Sequence, residues 1–353
     1  MSAADDWALL KLAQRGDEKA FGELVEAHRA QLRAHSYRML GSVQDAEDAL
    51  QEALLRAWRG LAGFEGRSSV RSWLYSIVTN ASLDITRHRS RRELPVDFGP
   101  AAGQTDDLGA AVTDAVWLEP YPDRWLTGSA GSSPEAAYEQ RENLELAFIV
   151  ALQKLPPLQR AVLLLREVVG FSAAETADQL GASVASVNSA LQRARATVGG
   201  GLPDRSQQET LHALGDERTR AIVGKYMDAM ERGDADTLVA MLTEDAAWSM
   251  PPIPTWFAGR ELVREFLVRY PLAERWKHLP TRANGQLAVG CYLFDPGTGS
   301  YLPAAIDVLT LEGDKIRSVV GFLTDAHAEA PDAGAWATAA EVFGRFGLPA
   351  ELA

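Results

Sequence analysis

Residues 44–58 read QDAEDALQEALLRAW, and residues 72–92 read SWLYSIVTNASLDITRHRSRR. At about 100° per residue, the first stretch sorts into two faces. Ala46, Leu50, Ala53, Leu54, Ala57 and Trp58 fall on one side. Asp45, Asp48 and Glu52 fall opposite, with Glu47 and Gln51 on the flank. Four carboxylates precede the first arginine of the stretch, Arg56. Acid in a first turn also suits the helix dipole, so this face alone does not name a partner. From Arg67 to Arg92 the sign reverses: six arginines stand against one acid, Asp84, for a net +5. Trp73, Tyr75, Ile77 and Val78 are interleaved with them. Arginine neutralises phosphate, and rings stack on unstacked bases. Trp73, Ile77 and Val78 also suit a plain helical core, which is the preferred reading of those three. The arginine cluster has no such structural explanation.

The pattern DAEDxxQExxLRxW, followed by RSWLYxIxxNxxLD and an arginine-rich end, resembles region 2 of bacterial sigma factors of the extracytoplasmic-function class. The resemblance implies that Asp45, Glu47, Asp48, Gln51 and Glu52 contact the clamp helices of the RNA polymerase β′ subunit. It implies that Trp73, Asn80, Asp84, Arg87 and Arg91 lie on the promoter side, where the −10 element is melted and read. Residues 6–40, two helices by their period, would then pack behind the clamp-binding helix.

The whole chain sets wider bounds. Its 353 residues suggest two or three domains. The net charge of −13 argues against a protein that simply coats DNA. With the single cysteine Cys291 no internal disulfide can form, and no zinc-type Cys/His spacing occurs. His28 and His35 are not near clustered carboxylates in sequence, so no metal and no cofactor is expected. No run approaches about 20 apolar residues, and the start lacks a basic, then apolar, leader pattern. The expected location is the cytosol.

Region 2 is expected over 6–93, a linker over 94–133, and a second helical domain over 134–202. The linker is rich in Gly, Pro, Asp and Ala, yet it contains VWLEPYPDRWL at 116–126. Two readings stand side by side. Trp117, Tyr121 and Trp125 anchor the segment on another domain of the same chain, or the segment threads the polymerase cleft and RNA exit channel. The acids Asp106, Asp107, Asp114, Glu119 and Asp123 suit the second.

Ser133 and Pro134 read as a helix start. Further on, Ser172 and Glu175 form a capping-box pair. Ala177, Gly181 and Val187 have helix-turn-helix spacing, and Ser183 caps the second helix. Its outward positions are Ser186, Asn188, Ser189, Gln192, Arg193 and Arg195, residue types able to read base edges and hold phosphate in a major groove. With LPPLQRxVxLLRExxGFSxxE upstream, this resembles sigma region 4, which reads the −35 element and touches the β-flap. Many relatives carry Lys and Arg where this chain has Asn188 and Ala190, so the base preference of relatives does not transfer. Two weak readers held on one polymerase gain effective concentration.

Residues 210–327 change character. Helices come first, then strand-like runs at 287–295, 301–312 and 315–323, with a Gly313-Asp314 hairpin. The stretch GKYMDAMERGDADTLVAMLTEDAAWSMPP, then GRELVREFL, resembles the SnoaL-like, ketosteroid isomerase-like fold, which some sigma factors of this class carry at the C-terminus. The fold class expected is therefore multidomain: two all-α sigma domains plus an α+β cone. Trp248, Trp256, Tyr270, Tyr292 and Tyr301, with Trp276, are candidate pocket walls. Asp228, Asp245 and Asp307 are the acids to consider for catalysis, though none forms a diagnostic pair. The tail, 328–353, carries Trp336, Val342, Phe343 and Phe346 in a stripe. It caps its own domain or latches onto the sigma domains, the first being preferred.

The expected function is that of a sigma factor, not an enzyme. It binds core polymerase and promoter DNA, and its third domain acts as a built-in regulator in place of an anti-sigma protein. That domain holds the sigma domains compact through intramolecular contacts and is open to a small apolar ligand. The rival is a cyclase- or isomerase-like enzyme, or a ligand sensor, with a DNA-binding N-terminal half. A plain helix-turn-helix repressor would need neither the acidic helix nor the arginine-aromatic segment.

Overall fold

The computed structural model describes residues 3–112, 117–126, 134–324 and 338–353. Ser133, Asp114 and Trp336 lie outside the described residues. In chain order, the helices are α1 (Ala3–Ala13), α2 (Glu18–Leu40), α3 (Val43–Gly60), α4 (Val70–Thr86), α5 (Pro95–Phe98), α6 (Pro134–Glu142), α7 (Leu146–Gln153), α8 (Pro157–Leu163), α9 (Ala173–Leu180) and α10 (Val184–Gly199). Then come α11 (Gln207–Arg232), α12 (Ala235–Met241), α13 (Arg260–Arg269) and α14 (Ala339–Arg345). The strands are β1 (Leu242–Met250), β2 (Ile253–Ala258), β3 (Trp276–Ala283), β4 (Gln286–Asp295), β5 (Ser300–Glu312) and β6 (Lys315–Leu323). The expected fold class is borne out: helical domains followed by a helix-and-sheet domain.

The chain divides into two compact units: Met1–Arg92 with Trp125–Pro203, and Glu93–Arg124 with Asp204–Ala353. The linker read at 94–133 is thus divided: its part up to Arg124 belongs to the second unit.

In the first unit, side-chain caps set the helix starts. Asp17 caps α2, Ser42 caps α3, Ser69 caps α4 and Ser183 caps α10. Ser172 and Glu175 close a reciprocal box on α9, and Gly181 takes the left-handed turn that ends it. The core joins Leu24, Leu32, Leu50, Leu74 and Val78 of α2–α4 to Leu165, Val169 and Phe171, which follow α8.

In the second unit, one six-stranded sheet runs β2-β1-β6-β5-β4-β3. The β1–β6 pair is parallel and the other pairs are antiparallel. The register of β4 against β5 shifts between Cys291 and Tyr292. A bulge exchanges the two faces of a strand. Helices α11–α13 and the inward sheet face share a core including Tyr226, Trp248, Phe257, Phe266 and Val289. The outward face of β4 carries the tail. Phe343 of α14 packs edge-on to Tyr292 at 4.9 Å, and Tyr301 and Leu352 form a bridge. A Cβ on Gly290 would come 2.4 Å from Leu348 Cδ1, so a larger residue there would push the tail's Leu348 aside. The described tail caps its own domain.

Candidate nucleic-acid interface, clasp and cone

The acidic helix comes first. In α3, Ala46, Ala49, Leu50, Ala53 and Ala57 are buried, while Asp48, Gln51 and Glu52 face solvent. Asp45 does not join them, which corrects its expected place on the open face. It is 2% exposed and takes Arg92 Nη2 at 2.6 Å and Arg89 Nη1 at 3.1 Å. Glu47 is half-buried and pairs with Arg33, whose guanidinium lies 4.5 Å from the Trp125 ring centroid.

On α4, Trp73 is half-buried and stacks on Phe64 at 4.7 Å. Asn80 is exposed and donates to the Ser76 carbonyl oxygen at 2.9 Å. Asp84 accepts from Arg56 at 3.0 Å and Arg87 at 2.8 Å, and Arg56 also donates to Glu52 at 2.8 Å. These bonds, Glu52 first and then Asp84, hold the Arg56 guanidinium's pKa above its usual range. Arg87 and Arg91 are exposed. The acidic face and the end of α4 are therefore joined by one chain of ion pairs.

In α10 the buried set is Val187, Ala190, Leu191, Ala194 and Val198. Ser186, Asn188, Ser189, Gln192, Arg193 and Arg195 are all exposed. Arg195 pairs with Glu167. Ala190 is part of the helix-turn-helix core, so the comparison with charged residues of relatives at that position concerns an inward site.

What the sequence did not disclose is that residues 143–180 dock directly on α2 and α4. Arg160 is buried and donates to the carbonyl oxygens of Met39, Gln153 at 3.1 Å and Leu155 at 3.2 Å, and to Gln153 Oε1 at 2.6 Å. Burial, then Arg91, pulls its pKa to about 10. Arg38 Nε donates to Asn143 O at 2.9 Å, and Gln153 Nε2 to Arg38 O at 3.3 Å. Arg71 donates to Val169 O at 2.9 Å and lies 5.2 Å from the Tyr75 ring and 5.0 Å from the Phe171 ring. Gln179 of α9 donates to Ser72 Oγ of α4 at 2.8 Å. Beneath this clasp His35 is buried and meets Thr79 Oγ1 at 2.8 Å. Burial, then Arg38 and Arg71, lowers its pKa to about 3.

The tether's described aromatics are held. Trp117 is 2% exposed, lies 5.2 Å from Phe98 by ring centroids, and donates to Val112 O at 2.7 Å. Tyr121 is fully buried; its N–H donates to Asn284 Oδ1 at 2.8 Å, and Asn284 N–H returns a bond to its carbonyl at 2.9 Å. Asp123 accepts from Gly285 N–H at 2.8 Å. Tyr121 thus anchors on the sheet domain of its own chain, Trp117 is buried in the same unit against the tether's own Phe98, Val112 and Glu93, and Trp125 lies in the first unit. The tether is also pinched: Glu93 bridges Trp117, and Leu118 N–H donates to Glu93 O at 3.0 Å.

Within the second unit, a cavity of about 530 Å³ opens on the inward sheet face. Trp248, Tyr270 and Trp276 line it. Trp256, Tyr292 and Tyr301 do not, which corrects three expected wall residues. Trp256 donates to Gly99 O at 2.8 Å, and Tyr292 donates to Pro349 O at 2.8 Å. Tyr301 faces Phe294 at 5.2 Å. Tyr292 points outward by simple alternation with Cys291 and Leu293, which line the cavity, and the bulge in β5 between Pro303 and Ala305 turns Tyr301 outward. Of the three acids, only Asp307 lines the cavity; Asp228 and Asp245 are exposed. Tyr226 O–H donates to Asp307 at 2.7 Å. Burial pushes the Asp307 carboxyl up against its hydrogen bonds, and pushes the Tyr226 hydroxyl and Cys291 thiol up as well. A raised thiol is a poor nucleophile. A Cβ on Gly321 would meet Asp307 Oδ1 at 2.8 Å, so this floor requires glycine. His278 also lines the cavity, and burial lowers its pKa to about 4. Among the described residues no group of three His, Cys, Asp or Glu could hold a metal, and His28 meets Asp6 at 3.3 Å. Among the described residues no helix is long and apolar enough to cross a membrane.

Family models match three segments: Sigma-70 region 2 over 24–92, Sigma-70 region 4 over 145–198, and a SnoaL-like domain over 223–319. The chain is 38% identical over 344 residues to the ECF RNA polymerase sigma factor SigG of Mycobacterium tuberculosis, covering 96% of this chain and 86% of that protein. The chain belongs to the ECF RNA polymerase sigma factors. A second sigma factor of this class from the same organism, SigJ, is 30% identical over 228 residues, 64% of this chain and 62% of its own length. The crystal structure of SigJ matches with a TM-score of 0.54 at 24% identity, covering 86% of this chain and 96% of that one, a likeness of fold. As an ECF sigma factor the chain binds core RNA polymerase and promoter DNA and directs transcription initiation. It stands among transcription regulators rather than enzymes, its SnoaL-like domain notwithstanding.

Proposed function

We propose that this sigma factor is self-restrained, with the SnoaL-like domain doing the work of a separate anti-sigma protein in the cytosol. The observation that carries the reading is the pinched tether. Glu93 and Leu118 are hydrogen-bonded to each other while Trp117 is buried beside them and Tyr121 is buried and bonded to Asn284 of the sheet domain. A tether held this way keeps region 2, proposed as 6–93, close in sequence reach to region 4, proposed as 134–202. The docking of Arg160, Arg38 and Gln179 across the two regions fits the same closed state.

In this reading Asp48, Gln51 and Glu52, already exposed, make the first contact with the β′ clamp helices. Glu47 joins them once its pair with Arg33 opens, and Asp45 stays structural. Region 4 then leaves α4 for the β-flap. Asn80, Asp84, Arg87 and Arg91 come to serve the −10 element, with Trp73 shaping the strand pocket. Ser186, Asn188, Ser189, Gln192, Arg193 and Arg195 take the −35 element. A small, mostly apolar ligand in the cone is part of the proposed control.

Run-off transcription with core polymerase on genomic fragments tests this. A truncation ending near Gly201 and the full-length Asn284→Gly variant, which removes the acceptor for Tyr121 N–H while tolerating the positive φ of 54° at Asn284, should both initiate more strongly than the parent. Weaker initiation by both would mean that the third domain is a needed part of the holoenzyme.

A further inference from the structure

The cone cavity has one wall that does not come from the cone domain's own sequence. The tether crosses its mouth between Gly99 and Val112. Trp256 donates to Gly99 O at 2.8 Å, and Ala102 N–H donates to Trp256 O at 2.9 Å. Tyr270 O–H donates to Thr105 O at 2.8 Å, and Thr105, itself fully buried, donates to Glu265 at 2.5 Å. Arg269 pairs with Asp106, and Val112 N–H donates to Pro252 O at 2.9 Å. Tyr270 and Arg269 of the rim, and Leu108 of the strap, all line the cavity.

The lining selects a ligand class. The walls are Trp248, Phe266, Tyr270 and Trp276, so flat rings fit by stacking. The Arg269 charge is already engaged by Asp106, and Glu274 and Asp307 also line the cavity, so an anionic guest is disfavoured. The Asp307 carboxyl on the floor accepts from Tyr226 and has acceptor capacity left. A volume of about 530 Å³ suits a drug-sized molecule.

We propose that the cone binds a neutral, largely apolar, planar molecule with one hydrogen-bond donor toward Asp307, and that the Gly99–Val112 strap closes over it as a lid, so that occupancy holds the tether on the third domain. This deepens the self-restraint reading by naming what controls the tether's hold. A guest beneath Leu108 adds apolar contact that an empty cone lacks. The small molecule thus stabilises the closed sigma factor without touching either DNA-reading helix.

The test uses the full chain without polymerase, so its failure is separable from failure of the transcription comparison. 1-Hydroxypyrene, a neutral planar dye with one hydroxyl donor, is titrated by fluorescence, and amide hydrogen exchange is followed with and without saturating dye. The expected result is saturable binding, weakened at least about tenfold by Leu108→Asp in the lid, since the change sets a charge against an apolar guest. Ala273→Trp, at the exposed rim of the cavity, should weaken it by a similar factor with little risk to folding. Exchange across 99–112 should slow at least about threefold with dye, while exchange across 184–199 stays constant. Binding by either variant as tight as the parent, or strap exchange indifferent to saturating dye, overturns the proposal.

Discussion

Region 4 and the tether are both docked on a neighbour, but by different chemistry. Region 4 meets region 2 mostly through guanidinium and amide groups that donate to main-chain carbonyls: Arg160, Arg38, Arg71 and Gln153, with Val169 and Phe171 as a small apolar plug. The tether meets the sheet domain through the buried Tyr121 ring and through a reciprocal pair of hydrogen bonds between Tyr121 and Asn284. Charged donors can exchange a carbonyl for water or for phosphate at small net loss. Buried rings have no comparable alternative partner. The first contact has the chemistry of a switch, and the second that of an anchor.

The contrast can be broken most sharply at the anchor. Tyr121→Ala should cost about 3–5 kcal/mol, the usual range for deleting a large buried ring. It should release amide protection over 117–124 and 283–286; unchanged protection there would mean the tether is not anchored. Next comes the clasp. Arg160→Met keeps bulk but strips the donor from four acceptors. A shift of about 2–3 kcal/mol toward separated regions is expected, read as a larger radius of gyration in solution scattering. An unchanged radius would show that the apolar plug alone closes the pair.

A third test uses pH. His35 is neutral in the folded state with its pKa near 3, against 6.5 when unfolded. A depressed folded value means full stability above 6.5 and a loss as pH falls from there toward 3. At pH 5 the loss is about 2 kcal/mol. His35→Gln, which can still reach Thr79, should flatten the first unit's stability between pH 7.5 and 5. The second unit should keep its own acid sensitivity from His278, whose pKa is near 4. The same slope in both forms would remove His35 from the account. The smallest effect is at the exposed face: Asp48→Arg should weaken core-polymerase binding by about 1 kcal/mol, mainly by slower association, with the fold unchanged. Equal affinity would take Asp48 out of the clamp contact.

Much of this was legible in the sequence, because local chemistry decides local structure. The α9–α10 unit follows from Ser172, Glu175, Gly181 and Ser183, and its outward set is the exposed set. Asp45 was misplaced because its partner, Arg92, is 47 residues away, beyond the reach of any wheel. Tyr301 was misplaced because a bulge in β5 reverses side-chain parity without a residue type that announces it, and Tyr292 because nothing in its strand says which face is inward. The clasp was invisible for a plainer reason. Its acceptors are backbone carbonyls, which every residue has. The anchoring of Trp117 and Tyr121 was one of two open readings, and aromatic content alone could not choose between them.

The pinch at Glu93 and Leu118 also acts as a ruler. Elements at −10 and −35 lie about 25 base pairs apart, or about 85 Å along B-DNA at 3.4 Å each. Between the family matches that end at 92 and begin at 145, the chain could stretch to about 175 Å at 3.3 Å per residue. Closing 93 on 118 removes about 25 residues from that reach and leaves about 90 Å at most. Coiling of α6 shortens it further. A loose tether lets two readers meet their elements at many separations. On the proposed −10 and −35 reading, a pinched one would narrow the spacings that both readers can span.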